Sequence, residues 1–569
     1  MLNRNIENPL AKILYVGAPF IALLVSANTN SDPVNAPKAL ALGAFSFGAI
    51  AIALRYGVGQ VWRDSRYASI LGFLFLFFAL SSVFFSRTPL DQLLFGVGGR
   101  NTGLVTYFGL AFFFLASLLM RSHKNFRNIV WGLMVAGIVN FFYNLIVLFG
   151  KDPIPWNNTY GTILGTFGNP NFISAFMSIF ISVTAALIFW QKITWPVRTL
   201  GLILIFISLY EVKRSFSLQG LIASALGFTI VGYFVVRSRL SNKWFSRSYL
   251  IVSFLGGLLV IAGMLQKGPL VNLVYKRTVS LRGEYWHAGW NMGISRPFTG
   301  LGMDSYGLWY RRLRNPSALI SPGPDTITNS SHNVFMDIFS GGGFPLFITY
   351  LLISALVVQS ILKVVKRTET YDPVFVALIV GWVCYQAQSL ISINQIGLAV
   401  WGWLFGGALI AYEVASRNPN FYVGETQGSK NSKGKRKAQT SVSETPVGVT
   451  LVAFLGIIVG VAVASPPAIA DAKWRNALSS GNVENVKTAL DSWPKDSSRL
   501  AQGAGILSDN KMDDLAYKYA KLGTGFNPDF FDAWRLLAAM KLATEEDKKM
   551  AAENLHRLDP LNPAYKLVP

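Results

Sequence analysis

A polar cluster interrupts the apolar sequence near residue 332. The segment from Ser330 to Asp337 reads Ser-Ser-His-Asn-Val-Phe-Met-Asp, and three consecutive glycines begin at Gly341. The chain has only four histidines, and His332 stands at the start of a long apolar stretch. A neutral imidazole can take a proton from a substrate hydroxyl, whereas a charged imidazole can hold a phosphate oxygen. The simpler alternative is helix capping by Ser331 or Asn333 beside an incidental histidine.

The segment before this cluster is strongly basic. Between Lys267 and Ser331, lysine and arginine outnumber the acidic residues Glu284, Asp304 and Asp325. A guanidinium is a planar fork that matches two phosphate oxygens, so this loop predicts a site for a phosphate-bearing substrate. Attraction to anionic lipid headgroups is the alternative. The basic residues are Lys267, Lys276, Arg277, Arg282, Arg296, Arg311, Arg312 and Arg314.

Membrane-spanning helices must position these residues. Hydrophobic residues make up 52% of the 569 positions and charged residues only 14%, whereas a soluble domain carries about 25% charged residues. A span needs about 20 mostly apolar residues, because the bilayer core cannot satisfy backbone polar groups. The sequence therefore predicts an all-α, polytopic transmembrane bundle of about 12–13 spans. We place them near 10–27, 39–56, 68–86, 103–120, 128–150, 171–190, 198–211, 217–236, 249–266, 333–362, 373–391, 394–412 and 447–464.

The distribution of basic residues predicts the orientation of this bundle. Lysine and arginine concentrate in alternate short loops, which places the N-terminus in the cytoplasm and the C-terminal domain outside the cell membrane. We expect a multi-pass protein of the inner membrane. The net charge of +22 then reflects cytoplasmic anchoring and requires no nucleic-acid partner. The single cysteine, Cys384, supports neither a disulfide nor a cysteine metal site.

The chain divides into four predicted regions. They are a polytopic membrane domain at 1–412 with a large outer loop at 267–332, a basic cytoplasmic linker at 413–446, a last span at 447–464, and a soluble helical tail at 465–569. In the tail, Pro494, Pro528 and Pro563 recur at intervals of 34 and 35 residues. This period, with helical blocks between the prolines, resembles the tetratricopeptide repeat. The tail is predicted to be either a helical cap or a docking surface for a partner or acceptor.

Four motifs along residues 70–412 resemble, in type and order, those of the O-antigen ligase and polymerase superfamily. They are Phe95-Gly96 with Arg100 and Gly103-Leu104, the turn Gly168-Asn169-Pro170-Asn171, the pair of segments Arg282–Trp286 and Arg296–Gly302, and His332–Asp337 followed by Phe344-Pro345-Leu346. The resemblance implies a membrane bundle like that of the C-type glycosyltransferases.

The resemblance also implies a reaction. A glycan carried on a polyprenyl pyrophosphate would be transferred to an acceptor hydroxyl on the outer face, with inversion and without a metal or other cofactor. The acceptor would be a glycan, a lipid or a protein. Prearranged cations would stabilise the departing pyrophosphate. The implied catalytic residues are His332, Arg282 and Arg214, and the implied substrate-binding residues are Arg100, Asn169, Asn171, Glu284, Trp286, Arg296, Asn333 and Asp337.

One motif departs from the family pattern. The family has Ser-Arg-Gly at the outer end of a middle span, where this chain reads Ser217-Leu218-Gln219-Gly220. Leu218 stands where the arginine is expected. Arg214, about one helical turn earlier, is the candidate substitute.

Two other classes of function fit a polytopic membrane protein. The first is a transporter of a small anion or glycan, which should keep ionisable groups inside the membrane. Within the predicted spans only Asp337 lies inside an apolar block, which argues against transport. The second is an inactive scaffold whose tail recruits a protein partner, and the retained His332 and arginines argue against that. The sequence does not separate a ligase from a polymerase.

Overall fold

The computed structural model describes residues 4–422 and 447–565. Most of the predicted linker, at 423–446, therefore lies outside the described residues. The described chain is helical and contains no β-strand, which confirms the predicted all-α class. Its first ten helices are α1 (Arg4–Leu23), α2 (Asn35–Ile52), α3 (Val58–Phe84), α4 (Leu90–Phe95), α5 (Leu104–Ser117), α6 (His123–Leu148), α7 (Pro170–Ile188), α8 (Trp195–Arg214), α9 (Leu218–Arg239) and α10 (Lys243–Met264).

Short helices of the 267–332 loop, three long helices and the tail helices follow. The loop contains α11 (Val271–Val274), α12 (Arg277–Ser280), α13 (Arg282–Ser295) and α14 (Tyr306–Leu313). The long helices after it are α15 (Val334–Arg367), α16 (Pro373–Ser389) and α17 (Ile396–Ala415). The rest are α18 (Val447–Ser480), α19 (Val483–Leu490), α20 (Ser497–Asp509), α21 (Asp513–Phe526), α22 (Phe531–Ala539) and α23 (Glu545–Leu558).

Every predicted span falls on one of these helices. Nine helical segments of the described chain are long and apolar enough to cross a membrane, with α2 and α3 counted together as Asn35–Phe84. Helices α5 and α16 are apolar but shorter. Helix α1 is not among the nine, and it begins with the polar run Arg4–Asn8. The polytopic helical class is confirmed.

The chain reverses direction between α2 and α3, although helical turns continue almost without a break. Asn35, at the start of α2, donates from Nδ2 to the carbonyl oxygen of Gly99 at 2.7 Å. Ser86, just after α3, donates to the carbonyl oxygen of Leu301 at 2.5 Å. The start of α2 and the end of α3 therefore lie at the same face of the bundle, which carries the 267–332 loop. We call this face the loop side. A π-helical turn spans Ala53–Gly57, and helical geometry is lost at Ser65 (φ −142°, ψ 34°).

The centre of the bundle consists of closely packed helices. Helices α7 and α17 are buried almost completely, whereas the side chains of α10 are nearly all exposed and apolar. Small residues permit close approach between central helices. A Cβ at Gly220 on α9 would lie 2.1 Å from Ser174 Oγ on α7. Helix α10 packs on α9 and α11, so its remaining surface is available to lipid.

The tail consists of three helical hairpins around one apolar core. The hairpins are the end of α18 with α19, α20 with α21, and α22 with α23, and the recurring prolines follow the second helix of each. The core includes Trp474, Tyr519 and Trp534. Helix α18 runs unbroken through Pro466 and Pro467, so the last predicted span continues directly into the tail. The assignment of these hairpins to the tetratricopeptide repeat stays a prediction.

Candidate active site

Two glycine-rich segments on the loop side are joined by backbone hydrogen bonds. Residues 297–302 follow α13, and residues 340–344 lie in the first turns of α15. Leu301 N donates to Ser340 O at 2.9 Å, Gly302 N to Gly341 O at 2.9 Å, and Phe344 N to Pro297 O at 2.7 Å. A Cβ at Gly300 would lie 2.3 Å from the carbonyl carbon of Gly341, so only glycine permits this approach.

Helix α13 packs along the start of α15. Gly289 faces Ser331 and Met336, where an added Cβ would meet their Cβ atoms at 3.5 and 3.6 Å. At the next residue of α13, the ring of Trp290 lies 5.2 Å from that of Phe339 on α15. This packing brings the N-terminal turn of α13, and with it Arg282, to the turn that contains His332.

His332 is held in a backbone conformation that few residues adopt. Its φ is +54°, in the left-handed region. The Asp337 carboxylate fixes this turn by accepting hydrogen bonds from Ser330 Oγ at 2.7 Å and from Ser331 N at 2.8 Å. Asn333 caps α15 by accepting from Phe335 N and Met336 N. Asn333 therefore caps the helix while the preceding His332 has a left-handed backbone conformation. Capping by Asn333 does not exclude a chemical role for His332.

The imidazole of His332 lies against the ring of Tyr285, with ring centroids 5.8 Å apart and planes inclined by 32°. Burial lowers the pKa of His332 to about 4, and the positive charges of Arg282 and Arg100 act in the same direction. Imidazole is therefore neutral at physiological pH. Of the two roles that the sequence left open, this charge state favours proton acceptance.

Arg100 is fixed by two groups of the 267–332 loop. Its Nη2 forms an ion pair with Asp304 Oδ1 at 2.7 Å, and its Nη1 donates to the carbonyl oxygen of Asn329. Asp304 also accepts from Val97 N at 2.8 Å. No role for Asp304 was predicted from the sequence, although its negative charge is opposite to that of the arginines in the same loop. Asp304 is the residue that orients Arg100.

Arg282 differs from Arg100 in its surroundings. Burial lowers the pKa of its guanidinium, and within the described ranges no carboxylate forms an ion pair with it. A half-buried cation without a counterion is a favourable place for an anionic ligand. The structure therefore groups His332, Arg282 and Arg100, and it leaves Arg282 without an anion of the protein.

The other predicted residues in and after α13 have partners of their own or a free polar atom. Glu284 accepts from Ser317 Oγ at 2.8 Å. Trp286 has a buried Nε1 without a hydrogen-bond partner in the described chain. Arg296, at the far end of α13, donates to the carbonyl oxygen of Phe85 at 2.9 Å and so ties the loop to α3. Arg296 thus supports the loop from a position remote from His332.

Asn169, Asn171 and Arg214 lie apart from the His332 group. Asn169 caps α7 by accepting from Asn171 N at 2.8 Å, and the carbonyl oxygen of Asn171 accepts from Gln219 Nε2 at 2.6 Å. Arg214 is exposed at the end of α8, with its guanidinium 6.0 Å from the ring centroid of Tyr210. None of the three forms a hydrogen bond or ion pair with His332, Arg282 or Arg100 in the described chain.

Three arginines of the basic loop are bound to carboxylates of the tail, so the predicted phosphate site would have to use other basic residues of the loop. Arg311 and Arg314 both pair with Asp559, at 3.0 and 2.7 Å, and Arg312 pairs with Asp529 at 3.3 Å. The positive charge of these three residues is therefore compensated within the protein. This contact also shows that the tail and the 267–332 loop lie on the same side of the bundle.

The bundle also buries ionisable groups that the sequence analysis missed. Lys38 lies inside α2, is fully buried, and donates to the carbonyl oxygens of Ile21, Ala22 and Leu24 at 3.1, 2.6 and 3.0 Å. Glu211 on α8 is fully buried and accepts from Asn144 Nδ2 at 3.1 Å. Asp337 is therefore not the only ionisable residue buried within the predicted spans, and a scarcity of such residues does not argue against transport.

The central part of the chain is similar to one known family. Residues 212–351 match the family model described as O-antigen ligase. This segment begins at the end of α8, contains Arg282 and His332, and ends within α15. No curated protein matches the chain. The match supports placement in the O-antigen ligase superfamily and supports glycosyl transfer of the O-antigen ligase type in a multi-pass membrane protein.

Proposed function

We propose that the protein transfers a glycan from a polyprenyl-pyrophosphate carrier to an acceptor hydroxyl, with inversion and without a metal. The observation that carries this proposal is Arg282, a half-buried guanidinium without a protein counterion beside a neutral His332. Both residues lie inside the segment that matches the O-antigen ligase family. The proposed donor and acceptor are the partners of this site, and the bilayer holds the carrier.

Arg282 and Arg100 would bind the pyrophosphate. The ion pair with Asp304 fixes the position of Arg100, whereas the hydrogen-bond donors of Arg282 are available to a ligand. Negative charge grows on the pyrophosphate as the anomeric carbon–oxygen bond breaks. Cations already in place stabilise that charge most where water is scarce. Arg282 is therefore proposed as the main electrostatic catalyst and Arg100 as its fixed partner.

His332 would accept the proton of the acceptor hydroxyl. In this step the acceptor oxygen bonds to the anomeric carbon, its proton passes to the imidazole, and the pyrophosphate leaves with the electron pair of the broken bond. An imidazole whose pKa is about 4 is a weak base in the free protein. Bound pyrophosphate offsets the charges of Arg282 and Arg100, so donor binding would raise the pKa of His332 and activate it.

Other predicted residues would position this group. Asp337 and Asn333 hold the turn that presents His332, and Tyr285 limits the orientation of its ring. Glu284 and Trp286 lie on the same helix as Arg282 and are proposed to contact the glycan. Arg214 is exposed on the loop side, where we propose that it attracts the anionic donor. Asn169 and Asn171 are proposed to shape the neighbouring surface through the turn before α7.

The proposal places the loop side outside the cell membrane. The tail contacts the 267–332 loop, so both must share one side. Cysteine labelling of an Ala552→Cys, Cys384→Ser protein with an impermeant reagent checks this orientation in intact cells. We expect labelling, because Ala552 is exposed on the tail. Labelling only after permeabilisation would place the tail in the cytoplasm and contradict the proposal.

Deletion of the gene tests the proposed activity in the cell. We expect carrier-linked glycan to accumulate and the modified surface product to disappear, and the wild-type gene should reverse both effects. Accumulation of single repeating units indicates a polymerase, whereas accumulation of full-length polymer on the carrier indicates a ligase. Unchanged carrier-linked and surface glycans in the deletion strain would contradict the proposal.

A further inference from the structure

A second cavity lies between the tail and the membrane domain. Its volume is about 390 Å³, which is within the range of small-molecule binding sites. Three parts of the chain form its walls: residues 31–36 before α2, residues 91–101 from α4 to the Arg100 turn, and tail residues 467–502. It is separate from the His332 group, and the turn at 96–101 divides the two. Arg100 points to one side of this turn, while Asn101 lines the cavity on the other.

Two buried side chains among the lining residues each have one polar atom without a hydrogen-bond partner. Asn101 is 5% exposed and its Oδ1 is unpaired in the described chain. Arg499 is 8% exposed, and its Nη2 donates to the carbonyl oxygens of Ser492 and Pro494 while its Nε is unpaired. Buried polar groups are rarely left without partners, because each costs about 1–3 kcal/mol. These two side chains contribute an amide and a guanidinium to the polar lining of the cavity.

The charge of the cavity defines the chemistry of a ligand that would bind there. Its carboxylates are Asp32, Asp91, Asp471 and Asp496, and they outnumber the cations Lys495 and Arg499. An excess of negative charge repels phosphate and pyrophosphate. The described chain also has no cluster of three or more histidine, cysteine or acidic side chains placed to hold a metal ion.

The carboxylates retain the capacity to accept further hydrogen bonds. Asp91 accepts from Trp493 Nε1 at 3.1 Å and from Lys495 N at 2.7 Å, and Asp496 Oδ2 accepts from Gly98 N at 3.2 Å. Each carboxylate oxygen has two lone pairs, so one contact does not exhaust it. A wall rich in acceptors, with an amide, a guanidinium and the aromatic residues Phe95 and Trp474, suits a ligand that carries many hydroxyl groups.

We propose that this cavity binds a neutral, hydroxyl-rich saccharide segment of the glycan substrates. The inference rests on the proposed transfer function and adds a subsite to it. Asn101 adjoins Arg100 in sequence, so a saccharide bound here lies next to the proposed pyrophosphate site. A groove of about 410 Å³ between α20 and α22 shares Ser498 and Gln502 with the cavity, which gives a longer chain a path along the tail.

A bulky side chain introduced at an exposed residue of the cavity wall tests whether a saccharide binds there. Gln502 lines both the cavity and the groove and is exposed, so Gln502→Trp should occupy the space without disturbing the core. Ala552→Trp, at an exposed site on α23, is the matched control. Each full-length protein is placed in lipid nanodiscs and its melting temperature is compared with that of the wild type. The probe is one repeating unit of the cell's own glycan, released from its carrier by mild acid and therefore free of pyrophosphate.

We expect the probe to bind the wild type and the Ala552→Trp control equally, and to bind Gln502→Trp about tenfold more weakly or worse. A second variant on the same wall, Ser498→Phe, should give the same result. Transfer assays then identify the source of the saccharide. A raised KM for the acceptor alone assigns the cavity to the acceptor, and a raised KM for the donor alone assigns it to the donor.

Binding of the probe to both cavity variants with wild-type affinity would overturn this proposal. If the wild type transfers glycan at the same time, the proposed function stands and only the subsite fails. Failure of the wild type to transfer glycan from the carrier would instead contradict the proposed function itself.

Discussion

Arg314 of the 267–332 loop and Asp559 of the tail form an ion pair that is closed to solvent. Arg314 Nη2 lies 2.7 Å from Asp559 Oδ1, and both side chains are completely buried. Arg311 donates to the same carboxylate at 3.0 Å, and its guanidinium lies 4.1 Å from the ring centroid of Phe531. One carboxylate therefore fastens the tail to the loop that carries Arg282 and His332.

Removing this carboxylate should loosen the contact between the tail and the 267–332 loop. Asp559→Ala leaves two arginines without a counterion, and the loss of one partner of a buried pair costs about 3–5 kcal/mol. We expect faster hydrogen exchange in residues 306–323 and in α23, with the membrane helices still protected. Asp514→Ala, at an exposed carboxylate of the tail, should change neither region. Equal exchange in the two variants would show that the pair does not hold the tail.

Gly300 should not tolerate a side chain. Its φ is +64°, and an added Cβ would lie 2.3 Å from the backbone of Gly341, so Gly300→Ala must separate the two glycine-rich segments. We expect a loss of about 1–3 kcal/mol in the free energy of unfolding, from strain at positive φ together with the clash. Gly283→Ala on α13 is the control, because its Cβ would meet no atom within 4 Å. Similar melting temperatures for the two proteins would contradict this packing.

The pKa of His332 should depend on Arg282. In the wild type it is about 4, because burial and the charges of Arg282 and Arg100 disfavour the imidazolium ion. Arg282→Gln removes one of these charges, so the pKa should rise toward the ordinary value of about 6.5 without reaching it. Titration of histidine labelled with ¹³C can follow this change, with His332→Gln to assign the signal. Arg277→Gln, at an exposed neighbour, should leave the pKa where it is. A pKa that stays unchanged or falls in Arg282→Gln would contradict the proposed proximity.

Arg214 should contribute less than Arg282. Its guanidinium is exposed, so water and salt screen its charge, and such contacts are worth about 1 kcal/mol or less. We expect Arg214→Gln to raise the KM for the donor by about fivefold or less and to leave kcat nearly unchanged. Steady-state kinetics with Arg282→Gln as the reference can measure this. A fall in kcat as large as that of Arg282→Gln would show that Arg214 replaces the arginine missing at Leu218.

The sequence predicted the helices well because long apolar blocks admit few alternatives in a bilayer. The resemblance also predicted catalytic roles for Arg282 and His332, and these roles stay a prediction. The partner of Arg100 was not predicted, because Asp304 lies about 200 residues away and no local pattern links the two. The counterions of loop arginines such as Arg314 could also not be predicted from the sequence. The charge of these arginines suggested phosphate, but their counterions Asp529 and Asp559 lie in the tail, and composition alone does not show which charges meet.

The burial of ionisable residues in the membrane helices was also not predicted, because it depends on partners that are distant in the sequence. Lys38 directly precedes an apolar block, and its bonds to three carbonyl oxygens at the end of α1 and just after it depend on how α1 and α2 pack. Glu211 occupies the last residue of a predicted span, and its partner Asn144 comes from α6. Apolar blocks locate helices, whereas the packing between helices decides which polar groups are buried.

The most direct test of the central claim is transfer by purified protein in nanodiscs with a polyprenyl-pyrophosphate-linked glycan as donor. Arg282→Lys keeps the charge but loses the planar fork, so the rate should fall by about 30- to 1000-fold, equal to roughly 2–4 kcal/mol of transition-state stabilisation. His332→Ala should abolish transfer, while His287→Ala, at an exposed histidine of α13, should leave it intact. His332→Gln can donate a hydrogen bond but cannot take a proton, so it should be inactive if His332 is the base. Near wild-type transfer by both Arg282→Lys and His332→Ala would contradict the proposed active site.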